Sequence, residues 1–193
     1  MPVLTGSPVV TLRQASPHPY DGAIAAARTC YAPRVVGADE VTPAQRETIG
    51  PLTFEGGHHK VWQHAHFEFG LENVSRQFVW SFLHSHPFYN SEQSSQRFVR
   101  LDEARAHVPE GLSPEARAVY EGAALAAWES YRRLTALLRV DTLRILSDLR
   151  HLTPDASEKR RKKVEREAEK KAIEIARYVI PVAAFTSMVH TVS

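Results

Sequence analysis

From Leu112 to Leu138 the chain carries the pattern of one long helix, the longest clear element in the sequence. Ser113 stands at the cap position, and Pro114 follows at the first helical position, where a missing N–H is tolerated. Val119, Ala123, Ala126, Ala127, Tyr131 and Leu134 recur at three- and four-residue spacing, which predicts one apolar face. A second segment, Asp155 to Lys171, holds eight basic and five acidic residues, a local net charge of +3. Its plainer reading is a solvated helix face laced with i,i+4 ion pairs, and the other is a phosphate-binding face. The apolar stretch Ile173 to Val192 follows, kinked or divided by Pro181.

The N-terminal half alternates short elements. Val9 to Leu12 is β-branched and reads as a strand, with Pro8 tolerated at its edge. Asp21 is placed to cap a helix running through Ala23 and Arg28 toward Tyr31, closed by Pro33. A short helix is expected from about Pro43, and Gly56-Gly57 breaks the chain before a histidine-rich segment. His66, Glu68 and Gly70 alternate with Phe67, Phe69 and Leu71, a strand pattern. Arg76 to Leu83 is apolar and aromatic and fits a buried helix or strand, with Pro87 beyond it.

The composition suits one globular domain over residues 1–193: 43% hydrophobic, 24% charged. Lys+Arg number 24 against 22 Asp+Glu, so the chain has no overall signature for nucleic acid or membrane, and neither partner is expected. The single cysteine, Cys30, leaves no internal disulfide and fits a reducing cytosol. In its apolar helix it reads as a core residue rather than a nucleophile. The first residues lack the basic-then-apolar pattern of a signal peptide, and no apolar run reaches membrane-span length. A cytoplasmic location is the expectation.

Two groups of residues can carry chemistry. Six of the ten histidines (His58, His59, His64, His66, His84 and His86) fall within one stretch. On strands, His64/His66 and His84/His86 would each put two imidazoles on one face, a spacing that suits a metal. The competing reading is a set of partly buried or anion-facing histidines, and no metal site is assigned. Downstream, Glu92-Gln93-Ser94-Ser95-Gln96-Arg97 packs a carboxylate, two hydroxyls and a guanidinium into a short run. Arginine offers a planar fork for phosphate and serine a hydroxyl donor; a solvated polar turn has the same composition. The chain has no G-x-S-x-G elbow, glycine-rich phosphate loop or dinucleotide fingerprint.

The order of several segments resembles the flavin-dependent thymidylate synthase family. They are Ala26-Ala27-Arg28-Thr29-Cys30-Tyr31, Gly57-His58 through His64, Phe67-Glu68-Phe69, Val74-Ser75-Arg76, Glu92 to Phe98, and Ala176-Arg177-Tyr178-Val179-Ile180-Pro181 with Thr186 and Thr191-Val192. The resemblance implies an α/β (α+β) fold, a mixed sheet with flanking long helices, assembled as a homotetramer with FAD where subunits meet. It implies that NADPH reduces the flavin and that a methylene group passes from methylenetetrahydrofolate to dUMP, the flavin carrying the hard chemistry. It assigns dUMP contacts to Glu92 or Gln93, Ser94 or Ser95, Arg97 and Arg177, with Glu92 also near FAD. His58 matches a histidine lining the flavin and folate region.

The chain departs from the family pattern. The family's Arg-His-Arg flavin triplet falls on His84-Ser85-His86, so two permanent cations become titratable imidazoles. The glutamine expected on the nucleotide side falls on Ser81, and one extra residue precedes Arg97. The sequence ends at Ser193, where the family continues with further residues used for dUMP, as in a fragment or one domain of a longer protein. Three readings follow: a divergent flavin enzyme that makes thymidylate, a non-catalytic family domain serving assembly or regulation, and a histidine-based metal enzyme.

Overall fold

The computed structural model describes residues 3–85 and 89–193, and His86, Pro87 and Phe88 lie outside them. The chain divides into two compact units. One comprises Pro8–Glu72, Trp80–Gln93 and Ser187–Ser193; the other comprises Met1–Ser7, Asn73–Val79 and Ser94–Thr186.

A four-stranded sheet of order β1-β2-β4-β3, most of whose residues belong to the first unit, is formed by β1 (Val9–Ala15), β2 (Phe67–Ser75), β3 (Tyr89–Gln93) and β4 (Phe185–Val192). β1 runs antiparallel to β2 and β3 antiparallel to β4. The expected N-terminal strand therefore forms and extends past Leu12, with a register shift between Leu12 and Gln14. α1 (Pro19–Thr29) and α2 (Pro43–Glu55) pack against each other, and Ile24, Ala25, Val36 and Val41 form a core that Ala32 and Ile49 extend. Asp21 does not cap α1: His18 holds that position with φ of 49°, and the Asp21 carboxylate instead takes both Nε and Nη2 of Arg46 at 2.6 Å. That bidentate grip from α2 holds the Asp21 carboxyl below the usual carboxylate range, against the effect of burial. α2 starts at Pro43 as expected, with Thr42 and Gln45 closing a capping box. Gly50 lets Tyr20 lie against α2, where its hydroxyl donates to Arg46 O at 2.9 Å; a Cβ at Gly50 would collide with that hydroxyl.

The second unit centres on α4 (Pro114–Leu149) and α5 (Glu158–Ala176). Ser113 accepts from Ala116 N and Ser157 from Arg160 N, each capping its helix. α4 runs past the expected end at Leu138, because leucines continue to Leu149 without a glycine or proline to stop it. Its buried face is Ala124, Trp128, Tyr131 and Thr135: of the expected stripe Tyr131 is buried and Ala127 and Leu134 are half-buried, whereas Val119 is 74% exposed and Ala123 and Ala126 are exposed too. Small alanines on several faces left the sequence pattern without contrast, and the large rings of Trp128 and Tyr131 decide which face turns inward. Trp128 packs with Ala104, Ala106, Ala124 and Ala184, while Tyr131 packs with Ile173 and Ala176. The apolar segment after Lys171 divides near Pro181: its start completes α5, a 3₁₀ turn covers Arg177–Val179, and its end is β4.

α3 (Arg76–Leu83) resolves the choice between helix and strand in favour of helix. His64 and His66 do not share a strand face, and His86 of the second expected pair lies outside the described residues. His64 closes a 3₁₀ turn (His59–His64), His66 precedes β2, and His84 sits in the turn after α3. Cys30 is exposed rather than in the core, because α1 ends at Thr29 and leaves it at the C-cap.

Candidate functional site

In the second unit the end of β2, the turn after β3 and the C-terminus of α5 bring three arginines together. Ser75 Oγ accepts from Phe78 N at 3.0 Å and caps the start of α3. Arg76 N bonds to Ala184 O at 3.1 Å, which fixes where the Arg76 side chain starts. Its Nη2 donates to Ser94 O at 2.8 Å, and Thr186 Oγ1 donates to the same carbonyl at 3.4 Å. Ser95 O accepts from Phe98 N and Val99 N, and Ser95 Oγ accepts from Arg97 N at 3.3 Å. That turn aims Arg97 at α5, where its Nε meets Glu174 Oε1 at 2.5 Å. Arg177 caps the same helix and donates from Nε to Glu174 O at 2.9 Å, its guanidinium 5.2 Å from the Tyr178 ring centroid.

The electrostatics favour an anion. Burial, and then repulsion from Arg177, push the Arg76 guanidinium below its ordinary pKa. Glu174 is held below the usual carboxylate range by a hydrogen bond from Lys171 and, behind it, one from Arg97, against the effect of burial. Arg97 and Lys171 thus hold the Glu174 carboxylate, while Arg177 bonds the Glu174 carbonyl and Arg76 the Ser94 carbonyl. Gln96 adds a buried amide nitrogen, Nε2, without a hydrogen-bond partner among the described residues. A multiply charged oxyanion matches that donor set.

Of the residues singled out in the sequence, this unit joins Ser94, Ser95, Arg97 and Arg177. The others lie in the first unit. Glu92 and Gln93 pair with Val189 and Met188 in the β3–β4 ladder; being successive on a strand, they face opposite sides, and both are exposed. Ser81 is exposed on α3. His84 Nδ1 lies 2.6 Å from Trp80 O with the two rings 4.6 Å apart, and Ser85 Oγ donates to Phe82 O at 2.7 Å. His86 is outside the described residues. His58 is exposed beside the 3₁₀ turn that carries Trp62. Around that turn the Trp62 ring is 5.3 Å from Tyr20 and 6.1 Å from Phe54, and Trp62 Nε1 is buried without an acceptor among the described residues.

Sequence reasoning assigned no role to Arg76, Lys171 or Glu174. Arg76 stood in the Val74-Ser75-Arg76 match, but its place at a strand–helix junction was the missing signal. Glu174 lies one turn before Arg177, a spacing that hides in a charged helix. Among the described residues no three His, Cys, Asp or Glu side chains gather to hold a metal ion, so the histidine-based metal site has no geometric support there. Among the described residues, too, no helix is long and apolar enough to cross a membrane.

Residues 11–193 match the family model of the thymidylate synthase complementing proteins, Thy1. The chain is 28% identical over 190 residues to a flavin-dependent thymidylate synthase of Clostridium tetani, covering 95% of this chain and 69% of that protein. It is 33% identical over 161 residues to the Geobacter sulfurreducens flavin-dependent thymidylate synthase, covering 77% and 64%. The chain thus spans about two thirds of the length of these relatives. Among solved structures, the UMP/dUMP methylase PolB of Streptomyces cacaoi bound with 5-Br dUMP aligns with a TM-score of 0.63 at 17% identity, over 97% of this chain and 73% of that one. Thymidylate synthase X from Helicobacter pylori with FAD and dUMP aligns with a TM-score of 0.53 at 16% identity, over 95% and 77%. At those identities the structures speak for the fold, and the family-wide match over residues 11–193 speaks for descent: the chain belongs to the thymidylate synthase complementing protein (Thy1) family.

Proposed function

We propose that this chain is the nucleotide- and flavin-binding part of a thymidylate synthase that uses FAD to methylate dUMP. The observation that carries the reading is the convergence of Arg76, Arg97 and Arg177 on the Ser94–Arg97 turn and Glu174. In this reading the nucleotide phosphate takes the place of Glu174 at the Arg97 guanidinium, and Arg76 and Arg177 supply the remaining charge. Ser94 and Ser95 shape the turn, and the Gln96 amide offers a donor. Glu92, Gln93 and Ser81 remain proposed contacts to the same nucleotide.

The first unit offers groups that fit a flavin. Trp62 presents a buried N–H in want of an acceptor, beside Tyr20 and Phe54, which are 42% and 62% exposed. Aromatic faces and an indole donor suit a planar ring bearing carbonyl and nitrogen acceptors. His58 borders this group, and His84, Ser85, His86 and Glu92 are the further residues proposed to hold FAD. Bound there, the flavin would supply redox chemistry, with NADPH as reductant and methylenetetrahydrofolate as one-carbon donor. His84 has its Nδ1 engaged with Trp80 O, and Nε2 is the ring nitrogen proposed to face the ligand. A cytoplasmic homotetramer is part of the same proposal.

Loading purified protein with FAD and desalting it tests the cofactor; calorimetric titration with dUMP tests the nucleotide site. Retained flavin absorbance near one per chain, with dUMP binding that Arg97→Ala weakens, is the expected result. Absence of both flavin and dUMP binding would overturn the proposal and favour a domain kept for assembly.

A further inference from the structure

The charged segment after Asp155 enters the site above only at its last residue, Lys171, and the geometry of its outer face is specific. Val164, Ala168 and Ala172 bury one side of α5. Lys159, Lys163, Arg166 and Lys170 recur at four-, three- and four-residue steps on the opposite side, and all four are exposed. The acidic residues of the helix are largely engaged elsewhere: Glu158 with Lys162, Glu167 with Arg150, and Glu169 with Arg100. Among the described residues none of the four cations has a carboxylate within ion-pair distance. They make a row about 16 Å long, at 1.5 Å per residue. All four line an open groove of ≈730 Å³, together with the ion-paired Lys162, Glu158 and Glu167.

At the C-terminal end of the row lies an aromatic ring. Phe98 is 63% exposed, and Lys170 Nζ stands 5.9 Å from its centroid. A line of cations ending at an exposed ring is the pairing that single strands use: charge tracks the backbone, and a base stacks on the aromatic. An acidic peptide would use the charges and leave the ring idle. We propose that the outer face of α5 binds single-stranded nucleic acid, its phosphates running along Lys159, Lys163, Arg166 and Lys170 and one base stacking on Phe98. The near-neutral charge of the whole chain does not oppose this, because the field of a local row acts within about one Debye length, about 10 Å at 0.1 M salt.

The test is fluorescence anisotropy with a labelled twelve-nucleotide oligothymidylate, titrated from low to moderate salt. Wild-type protein is compared with a Lys159→Gln, Lys163→Gln, Arg166→Gln triple variant whose helicity is checked by circular dichroism. Log affinity should fall linearly with log salt, and the triple variant should lower the slope by about 2, as about 0.7 per phosphate contact requires. Phe98→Ala should weaken the oligonucleotide about fivefold or more, with no loss for a polyglutamate of equal length. An unchanged slope in the triple variant would overturn the proposal. So would displacement of the oligonucleotide by dUMP at concentrations that fill the nucleotide site, which would assign its binding to Arg97 and its neighbours. Polyglutamate binding as tight as the oligonucleotide would also overturn it.

Discussion

Arg97 Nε and Glu174 Oε1 stand 2.5 Å apart, so the arginine best placed for a nucleotide phosphate already holds a carboxylate. The Glu174 side chain is the less exposed partner, at 23% against 49%. An incoming phosphate must take this carboxylate's place or share the guanidinium with it. Glu174→Gln should therefore strengthen dUMP binding, roughly fivefold, as removal of one like charge at contact range predicts. Arg97→Ala should lose roughly 1.5–3 kcal/mol of dUMP binding, the range for a charged hydrogen bond. Calorimetry on both variants decides: if Glu174→Gln weakens binding, the carboxylate orients Arg97 rather than competing for it.

How far this site could be read beforehand follows from the kind of signal each residue gives. Arg97 stood out in a short polar run, and Arg177 only through the family resemblance of Ala176 to Pro181. Arg76 did not stand out, because its role depends on β2 ending at Ser75 and on Ala184 fixing its backbone, contacts far away in sequence. The strand at Val9, the helix from Pro43 and the caps at Ser113 and Ser157 follow from local chemistry, and the first three were expected. The buried face of α4 was legible at Tyr131 and Leu134 but not toward its N-terminal end, because alanines satisfy either face there and only the fit of Trp128 among Ala104, Ala106 and Ala184 chooses. Asp21 looked like a cap because a carboxylate at a helix start usually is one; its partner Arg46 lies 25 residues on.

That Asp21–Arg46 pair makes an asymmetric prediction. The Asp21 side chain is 12% exposed, whereas the Arg46 side chain is 48% exposed. Removing the arginine strands a buried carboxylate; neutralising the aspartate lets the arginine return to water. Arg46→Ala should therefore lower Tm by roughly 4 °C or more, and Asp21→Asn by less. Equal losses in thermal melts would show that the pair is no more buried on one side than on the other.

Glu40 gives a pH dependence whose direction is fixed. Arg34 hydrogen-bonds both its oxygens and Gly37 N donates to Oε1 at 2.8 Å, and together, Arg34 first, they lower its pKa from 4.5 to about 2. A carboxyl with a lowered folded-state pKa stabilises the fold above its unfolded value and loses that contribution as pH falls through the folded one. Glu40→Gln should melt below wild type at pH 7, and the gap should close as pH drops from about 4.5 to about 2. A gap that stays constant through this range would assign the loss to packing instead.

Trp128 tests what holds the second unit together. It is 1% exposed among four alanines, Ala104, Ala106, Ala124 and Ala184, so its indole fills most of that core by itself. Its Nε1 is buried with no acceptor among the described residues, which costs the folded state a desolvated donor. Trp128→Ala leaves a cavity that flanking alanines cannot close, and about 3–5 kcal/mol should be lost in urea unfolding. Trp128→Phe keeps most of the ring and removes the stranded N–H, two effects of opposite sign, so its cost should stay below about 1.5 kcal/mol. If phenylalanine costs as much as alanine, the indole nitrogen is bonded in solution, and the core depends on that bond as well as on volume.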